Sequence, residues 1–227
     1  GAIADDLDAY DHARTEAERA TIERELMRQV AIFWRTRLLR SVKLGVGDEI
    51  ENAVSYFERS FLPELPRLYA HWLGVLGEPK DLPSFLRVGS WVGGDRDGNP
   101  FVTAQVMRDA MRWQSRAALR LYLDRIHALG AELSVSARLA QVTPELQALA
   151  DAARDTSVQR ADEPYRQALT GVYARVAAAY PTLTGEAPTR PATTAATPYD
   201  SPDQLKADLE IVLASLIAEH GPAFAYG

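Results

Sequence analysis

Apolar residues recur at three- and four-residue steps along most of the chain, and this period predicts a protein built mainly from helices. Long amphipathic helices are predicted over residues 16–44, 48–73 and 103–136. Pro63 and Pro66 are expected to interrupt the second helix, because proline lacks a backbone donor and crowds the preceding turn. The third helix is predicted to bury its apolar positions, which are Val106, Met107, Ala110, Trp113, Ala117, Leu121, Ile126 and Leu129.

Prolines and capping residues mark the remaining helices. Thr143 can act as an N-cap, and the proline directly after it suits the first turn of a helix. Together they predict the start of a short helix. A similar start predicts a helix over residues 164–180, which Pro181 is expected to stop. Ser201 and Gln204 have the spacing of a capping box ahead of a last helix.

Two segments are predicted not to be helical. Residues 181–202 are rich in threonine, alanine and proline and have few apolar anchors, so we expect an exposed and mobile loop. Residues 85–92 mix β-branched, aromatic and small residues, as a short buried strand does, and Gly93 and Gly94 end that pattern.

The predicted fold class is therefore mainly α: a bundle of about six helices with one short strand-like insert. We treat residues 1–227 as a single helical segment, because no internal repeat divides them. A lone strand cannot satisfy its own backbone hydrogen-bonding groups. The chain is therefore expected to be an excerpt of a larger protein.

Composition excludes several classes of function. A 227-residue chain that is 47% hydrophobic can form a substantial core. The formal net charge of −6 argues against a nucleic-acid partner. The absence of cysteine excludes disulfides and thiolate metal sites and favours a cytoplasmic location. No membrane partner is expected, since no run approaches the roughly 18 apolar residues of a membrane span.

The polar residues after Gly93 and Gly94 can be compared with the sequence patterns of a calcium-binding loop and a phosphate-binding loop. Asp95, Asp97 and Asn99 alternate as the ligands of a calcium loop do, but the EF-hand pattern fails. It requires glycine at its sixth position and glutamate at its twelfth, where this chain has Pro100 and Val106. A phosphate-binding P-loop is excluded too, because no Gly-Lys-Ser/Thr follows the glycines.

Two interpretations of this loop remain from the residues alone. Arg96 lies between Asp95 and Asp97, and its planar guanidinium suits a carboxylate or a phosphate. Alternatively, the two acids pair with Arg96 or cap the helix at Thr103 and carry no chemistry. Trp91 is similarly either a core residue of the strand or a ligand contact.

A second candidate anion site lies at the predicted carboxyl end of the first helix. Arg40 stands there with Arg35 and Arg37. Cations are favoured at a helix carboxyl terminus, so a solvated surface explains the cluster as well as an anion pocket does. The histidines offer no metal-ligand spacing, and no metal site is predicted in this chain.

Residues 89–103, G-S-W-V-G-G-D-R-D-G-N-P-F-V-T, closely resemble the G-S-W-x-G-G-D-R-D-G-N-P-x-V-T segment of phosphoenolpyruvate carboxylases. Residues 142–146 and 163–166 also look like this family, so the resemblance covers the whole chain. It implies a parent with a (β/α)8 barrel and many additional helices. Such an enzyme adds bicarbonate to phosphoenolpyruvate with Mg²⁺ or Mn²⁺, giving oxaloacetate and phosphate as an anaplerotic reaction. The parent is expected to be a homotetramer.

The resemblance also implies roles for individual residues. Trp91 would match the tryptophan that lines the pocket for the methylene carbon of the substrate. Arg96, with Asp95 and Asp97, would form part of the polar wall of the active site. Arg40 would match an arginine of the sugar-phosphate activator pocket of some members.

Other features of the family are not found in this sequence. The family's T-A-H-P-T-E motif has a histidine followed by proline, whereas no histidine of this chain is followed by proline. No G-R-G-G-G-like run occurs either. We therefore expect the chain alone to be inactive and to hold no metal. A non-catalytic helical scaffold or self-association module is the alternative, and a weak anion site around Arg96 or Arg40 is a further one.

Overall fold

A computed structural model describes residues 2–35, 45–76 and 85–221, and the contacts divide the chain into two units, Gly1–Leu44 and Gly45–Gly227. Both units are helical, and no strand occurs in the described residues. The mainly helical fold is confirmed. The (β/α)8 barrel of the parent and the single-segment organisation stay predictions.

The first unit is a pair of helices, α1 (Ala2–His12) and α2 (Glu16–Arg35). The start of α2 is as predicted, whereas α1 was not predicted. A reciprocal cap begins α2: Thr15 Oγ1 accepts the Glu18 N–H at 3.2 Å, and the Glu18 carboxylate accepts the N–H groups of Arg14 and Thr15 at 3.0 and 3.1 Å. These hydrogen bonds, first that from Arg14, lower the pKa of Glu18. Residues 36–44, predicted to continue α2, lie outside the described residues.

The second unit is built around two hydrophobic cores joined by one long helix. Its helices are α3 (Val46–Tyr56), α4 (Leu62–Leu76), α5 (Ala104–Glu132), α6 (Pro144–Ala152), α7 (Pro164–Thr184) and α8 (Pro202–His220). The first half of α5 packs on α3 in a small core of Ile50, Val54, Ala110 and Ala117. Its second half packs on α7 in the larger core, which α6 and α8 complete. Met107, predicted to be buried, is 47% exposed.

Glycines allow the helices of the larger core to approach closely. Gly130 is buried within α5, near its end. A Cβ on Gly130 would lie 3.6 Å from the Leu169 Cβ of α7. A Cβ on Gly171 would lie only 2.8 Å from the Ala153 Cβ, so glycine is required where α7 meets the end of α6.

The prolines of the second helix do not interrupt it, which corrects the prediction. Helical residues run without a break from α3 through a π turn, Phe57–Phe61, into α4, and the Leu62 N–H bonds to the Phe57 carbonyl. This widened turn lies directly before Pro63. A wide turn relieves the contact between a proline ring and the carbonyl four residues earlier, which is the usual reason for a break.

The end of α7 and the cap of α8 also differ from prediction. Pro181 lies inside α7, which ends instead at Gly185 in the left-handed conformation with φ 79°. Ser201 begins α8, but its side chain makes no capping hydrogen bond. The Gln204 side chain instead accepts the Asp200 N–H at 3.2 Å, so the predicted capping box is not formed. The N-cap at Thr143 is confirmed, since its Oγ1 accepts the Leu146 N–H at 3.3 Å.

The segment between α7 and α8, residues 185–201, is mostly exposed, as predicted for the loop at 181–202. Contacts with the helices hold it at both ends. Tyr173 Oη donates to the Arg190 carbonyl at 2.7 Å, and Tyr199 Oη donates to Asp208 Oδ2 at 2.6 Å. The mobility of this segment stays a prediction.

A buried hydroxyl pair joins three elements of the larger core and makes a testable prediction. Ser215 is fully buried on α8; its Oγ accepts the Thr143 N–H at 3.2 Å and lies 2.9 Å from Tyr165 Oη. Burial raises the pKa of Tyr165, and the hydrogen bond to Ser215 partly opposes that effect. We expect Ser215→Ala to lower the free energy of unfolding by about 1–3 kcal/mol, because it leaves two buried groups without a partner.

Urea unfolding followed by circular dichroism measures this effect. Ser201→Ala is the matched control, because the Ser201 side chain makes no capping bond, and its effect should stay within about 0.5 kcal/mol. The Tyr165→Phe, Ser215→Ala double variant should cost less than the sum of the single changes. Equal effects of Ser215→Ala and Ser201→Ala would contradict the prediction.

Candidate functional site

The polar loop at residues 91–99 is held in shape by its own backbone. The Trp91 carbonyl accepts the N–H groups of Gly94 and Asp95 at 2.9 and 3.0 Å, and the Arg96 carbonyl accepts the Asn99 N–H at 2.5 Å. Gly93 and Gly98 have φ values of 83° and 74°, which non-glycine residues rarely adopt. Two consecutive turns therefore form the loop.

Gly93 anchors the first turn to the helical scaffold. It is buried, and a Cβ at this position would lie 2.8 Å from the Ala110 Cβ of α5 and 2.9 Å from the Ile50 Cδ1 of α3. The neighbouring Val92 packs against the same small core. These close contacts fix the loop at the point where α3 and α5 meet. Only glycine fits there.

The second turn is fixed to the start of α5. Asn99 accepts the Phe101 N–H on its side chain at 3.0 Å and the Val102 N–H on its carbonyl at 3.2 Å. Val102 is buried, and Thr103 caps α5 by accepting the Val106 N–H at 3.3 Å. The first end of the loop is thus attached to the small core and the second end to the start of α5, and the residues between them are exposed.

Residues 85–92 are not the buried strand that the sequence predicts. They are irregular, and Trp91 is 78% exposed. The N–H groups of Phe85 and Leu86 both donate to Tyr69 Oη, at 3.1 and 3.3 Å. A strand needs a neighbouring strand for its hydrogen bonds, and the described residues supply a tyrosine hydroxyl instead. Trp91 is therefore not a core residue.

The two acids do not neutralise Arg96. Asp95 Oδ1 accepts the Asp97 N–H at 3.2 Å, which closes a local turn. Within the described part of the chain, Arg96 makes no ion pair with either acid, and all three side chains are exposed. The helix at Thr103 is capped by its own hydroxyl. Neither contact of the non-chemical alternative is therefore formed in the described residues, and the guanidinium of Arg96 is exposed.

A small cleft of about 220 Å³ opens beside the loop, lined mainly by Val54, Phe57, Leu62, Gly89, Ser90 and Gln114. The sequence did not predict this cleft, although Gly89 and Ser90 belong to residues 89–103, the segment that carries the family resemblance. Arg40, the other predicted anion ligand, lies outside the described residues. In residues 2–35, 45–76 and 85–221, no group of three His, Asp or Glu could hold a metal ion.

The helices thus present an exposed tryptophan, Trp91, and an arginine without an ion pair in the described residues, Arg96, on one loop. The sequence profile of the phosphoenolpyruvate carboxylase family matches residues 1–227, so the chain belongs to that family.

Relatives agree with this assignment. The chain is 50% identical to a phosphoenolpyruvate carboxylase of Ralstonia nicotianae over 94% of its own length and 23% of the relative's length. It is 46% identical to that of Rhodopseudomonas palustris, and 45% identical to that of Azoarcus sp., each over 99% of this chain and 25% of the relative. The chain therefore spans about a quarter of the relatives it matches. Across the part that the structure describes, no helix is both long and apolar enough to cross a membrane.

Proposed function

We propose that this chain is a segment of a phosphoenolpyruvate carboxylase that adds bicarbonate to phosphoenolpyruvate and releases oxaloacetate and phosphate. The observation that carries the proposal is the match of the family profile to all 227 residues, together with the outward-facing loop at residues 91–99. The relatives supply the reaction class through their name, and the loop supplies groups suited to an anionic substrate.

In this proposal the loop forms one wall of the substrate site. Phosphoenolpyruvate carries a phosphate and a carboxylate, and the planar fork of Arg96 can donate two parallel hydrogen bonds to either group. The methylene carbon of the substrate is apolar, and the exposed indole of Trp91 offers it a flat apolar surface. Asp95 and Asp97 would limit the positions open to the Arg96 side chain and repel a wrongly placed anion.

The rest of the catalytic machinery is assigned to the part of the parent outside this chain. Mg²⁺ or Mn²⁺ would be held there, and the described residues bring no three His, Asp or Glu side chains together. A bound metal ion would polarise the substrate as a Lewis acid. The homotetrameric and cytoplasmic character of the parent, and the activator role of Arg40, stay predictions.

The proposal is tested by comparing the longer polypeptide, meaning the full-length parent that contains this segment, with the 227-residue chain alone. The longer polypeptide is expected to form oxaloacetate only with bicarbonate, phosphoenolpyruvate and a divalent metal present, as followed by coupled malate dehydrogenase. The 227-residue chain alone should show no turnover above the uncatalysed rate, because loss of the metal and base commonly costs factors of about 10³ or more.

The two failures of this test have different meanings. No oxaloacetate from the longer polypeptide would contradict the proposed reaction and leave the helical scaffold as the better interpretation. Measurable turnover by the 227-residue chain would contradict only the assignment of the catalytic groups to the rest of the parent. Circular dichroism on both samples checks that each is folded.

A further inference from the structure

A second polar cleft, which shares no lining residue with the loop at residues 91–99, lies between the end of α6, the middle of α7 and residues 194–197. Its volume is about 370 Å³. The polar residues in its lining are Arg154, Arg175, Thr194, Thr197 and Asp208. The proposed carboxylation uses none of them, and three separate observations point to a ligand in this cleft.

The first observation is the backbone and charge of Arg154. It is the residue after the end of α6 and has a φ of 51°, the left-handed region that side chains other than glycine and asparagine avoid. Such conformations cost free energy and are concentrated at binding sites. Within the described ranges its guanidinium makes no hydrogen bond or ion pair, so its charge is available to a ligand.

The second observation is an unsatisfied hydroxyl. Thr194 Oγ1 is buried and has no hydrogen-bond partner in the structure. A buried hydroxyl without a partner is costly, and most such groups in folded proteins are satisfied by protein, water or ligand. Thr194 lines the same cleft as Arg154, and its side chain would turn its hydroxyl toward the cleft to donate to an acceptor bound beside Arg154.

The third observation is that the opposite wall is already neutral and rigid. Arg175 donates to Asp208 Oδ2 at 3.1 Å and to Gln204 Oε1 at 3.2 Å, and its guanidinium stacks on the Tyr199 ring at 3.7 Å. Tyr199 Oη also donates to Asp208. Since Asp208 compensates Arg175, the unbalanced charge among the polar lining residues is the positive charge of Arg154.

The base of the cleft is equally fixed. Gly171 and Ala153 pack so closely that a Cβ on Gly171 would lie 2.8 Å from the Ala153 Cβ. Leu149 and Val172 add apolar side chains to the lining. The cleft therefore combines one free cation and one free hydroxyl with a preformed, partly apolar base, which is the composition of a small-molecule site.

We infer that this cleft binds a small oxyanion, with the guanidinium of Arg154 and the hydroxyl of Thr194 donating hydrogen bonds to its oxygen atoms. A carboxylate and a phosphate share this chemistry, and either can carry a small apolar part against Leu149 and Val172. The inference does not rest on the proposed carboxylation, because no residue of the loop at 91–99 takes part.

Calorimetric titration of the 227-residue chain with inorganic phosphate, and separately with acetate, tests the inference at constant ionic strength maintained with chloride. We expect saturable binding of at least one of the two, and the arm that binds identifies the ligand class. Arg154→Ala should weaken that binding by about tenfold or more, because it removes a charge-assisted hydrogen bond. Thr194→Val should weaken it by about three- to tenfold at nearly constant volume.

Arg120→Ala is the matched control, because Arg120 is also exposed and makes no ion pair in the described part of the chain. It should bind the anion as tightly as the unsubstituted 227-residue chain does. Thermal unfolding with and without the anion provides a second readout. A ligand of the folded state should raise the Tm of the unsubstituted 227-residue chain, and it should raise that of Arg154→Ala by less. No heat with either anion at tens of millimolar, or equal weakening by Arg154→Ala and Arg120→Ala, would overturn the inference.

Discussion

Replacing Arg96 with alanine in the longer polypeptide is expected to lower kcat/KM for phosphoenolpyruvate by about 100- to 1,000-fold. The physical reason is that Arg96 is exposed at the end of a fixed turn and has no ion pair in the described residues. Its guanidinium can therefore compensate substrate charge without first breaking another contact. Arg96→Lys should recover part of the loss, because lysine keeps the charge but not the bidentate geometry.

Trp91→Ala should act differently from Arg96→Ala. Loss of the indole surface removes apolar contact that ground state and transition state share, so KM should rise by about tenfold with a smaller change in kcat. Trp91→Phe should be intermediate, because phenylalanine keeps an apolar ring of smaller area.

Initial-rate kinetics at saturating bicarbonate measure these effects. Arg108→Ala is the matched control, since Arg108 is exposed on α5 and its side chain bonds only to Gln105 in the described residues. It should leave kcat/KM within about twofold of the parent value. If Arg96→Ala and Arg108→Ala had the same kinetic constants, the loop would not be a wall of the site.

Gly93→Ala is expected to lower the free energy of unfolding by about 2–4 kcal/mol, the sum of two separate costs. The first is the φ of 83°, which strains any residue with a Cβ. The second is steric, because the added methyl group would lie 2.8 Å from Ala110 Cβ and 2.9 Å from Ile50 Cδ1. α3 and α5 would have to separate, or the loop would have to leave its place between them.

Gly98→Ala separates these two costs. Gly98 has a φ of 74°, but nothing lies within 4 Å of a Cβ built there. This variant carries only the backbone strain and should cost about 1 kcal/mol. Urea unfolding of both variants provides the comparison, and equal losses would show that the contact of Gly93 with α3 and α5 is unimportant. In the longer polypeptide, Gly93→Ala should also lower kcat by displacing Trp91 and Arg96.

The long helices could be predicted from the sequence because their signal is local. The three- and four-residue period of α5 and the N-caps of α5 and α6 depend only on neighbouring residues, and the structure has them where they were predicted. Failures occur where a local rule competes with packing. Pro181 lies inside α7, because the buried contacts of the surrounding turns offset the loss of one backbone hydrogen bond. Pro66 lies inside α4, which buries no residue, so burial does not explain its place there.

The loop at residues 91–99 illustrates both sides. Its residue types alone indicate an anion-binding candidate and the family. Its surroundings could not be predicted, since the apparent strand at 85–92 had the composition of a buried strand but no partner with which to pair. The cleft at Arg154 was not predicted either, because Arg154 and Thr194 are 40 positions apart and only the tertiary structure brings the end of α6 and residues 194–197 to one cleft.

By itself, the sequence determined the helical class, most helix starts, the family and the residues of the polar loop, because periodicity, capping and motif spacing are properties of short stretches. Only the tertiary structure decided that Trp91 is exposed, that Arg96 is not paired with its neighbouring acids, and that Gly93 fixes the loop between α3 and α5. These features depend on contacts between residues distant in the chain, and such contacts leave no local pattern.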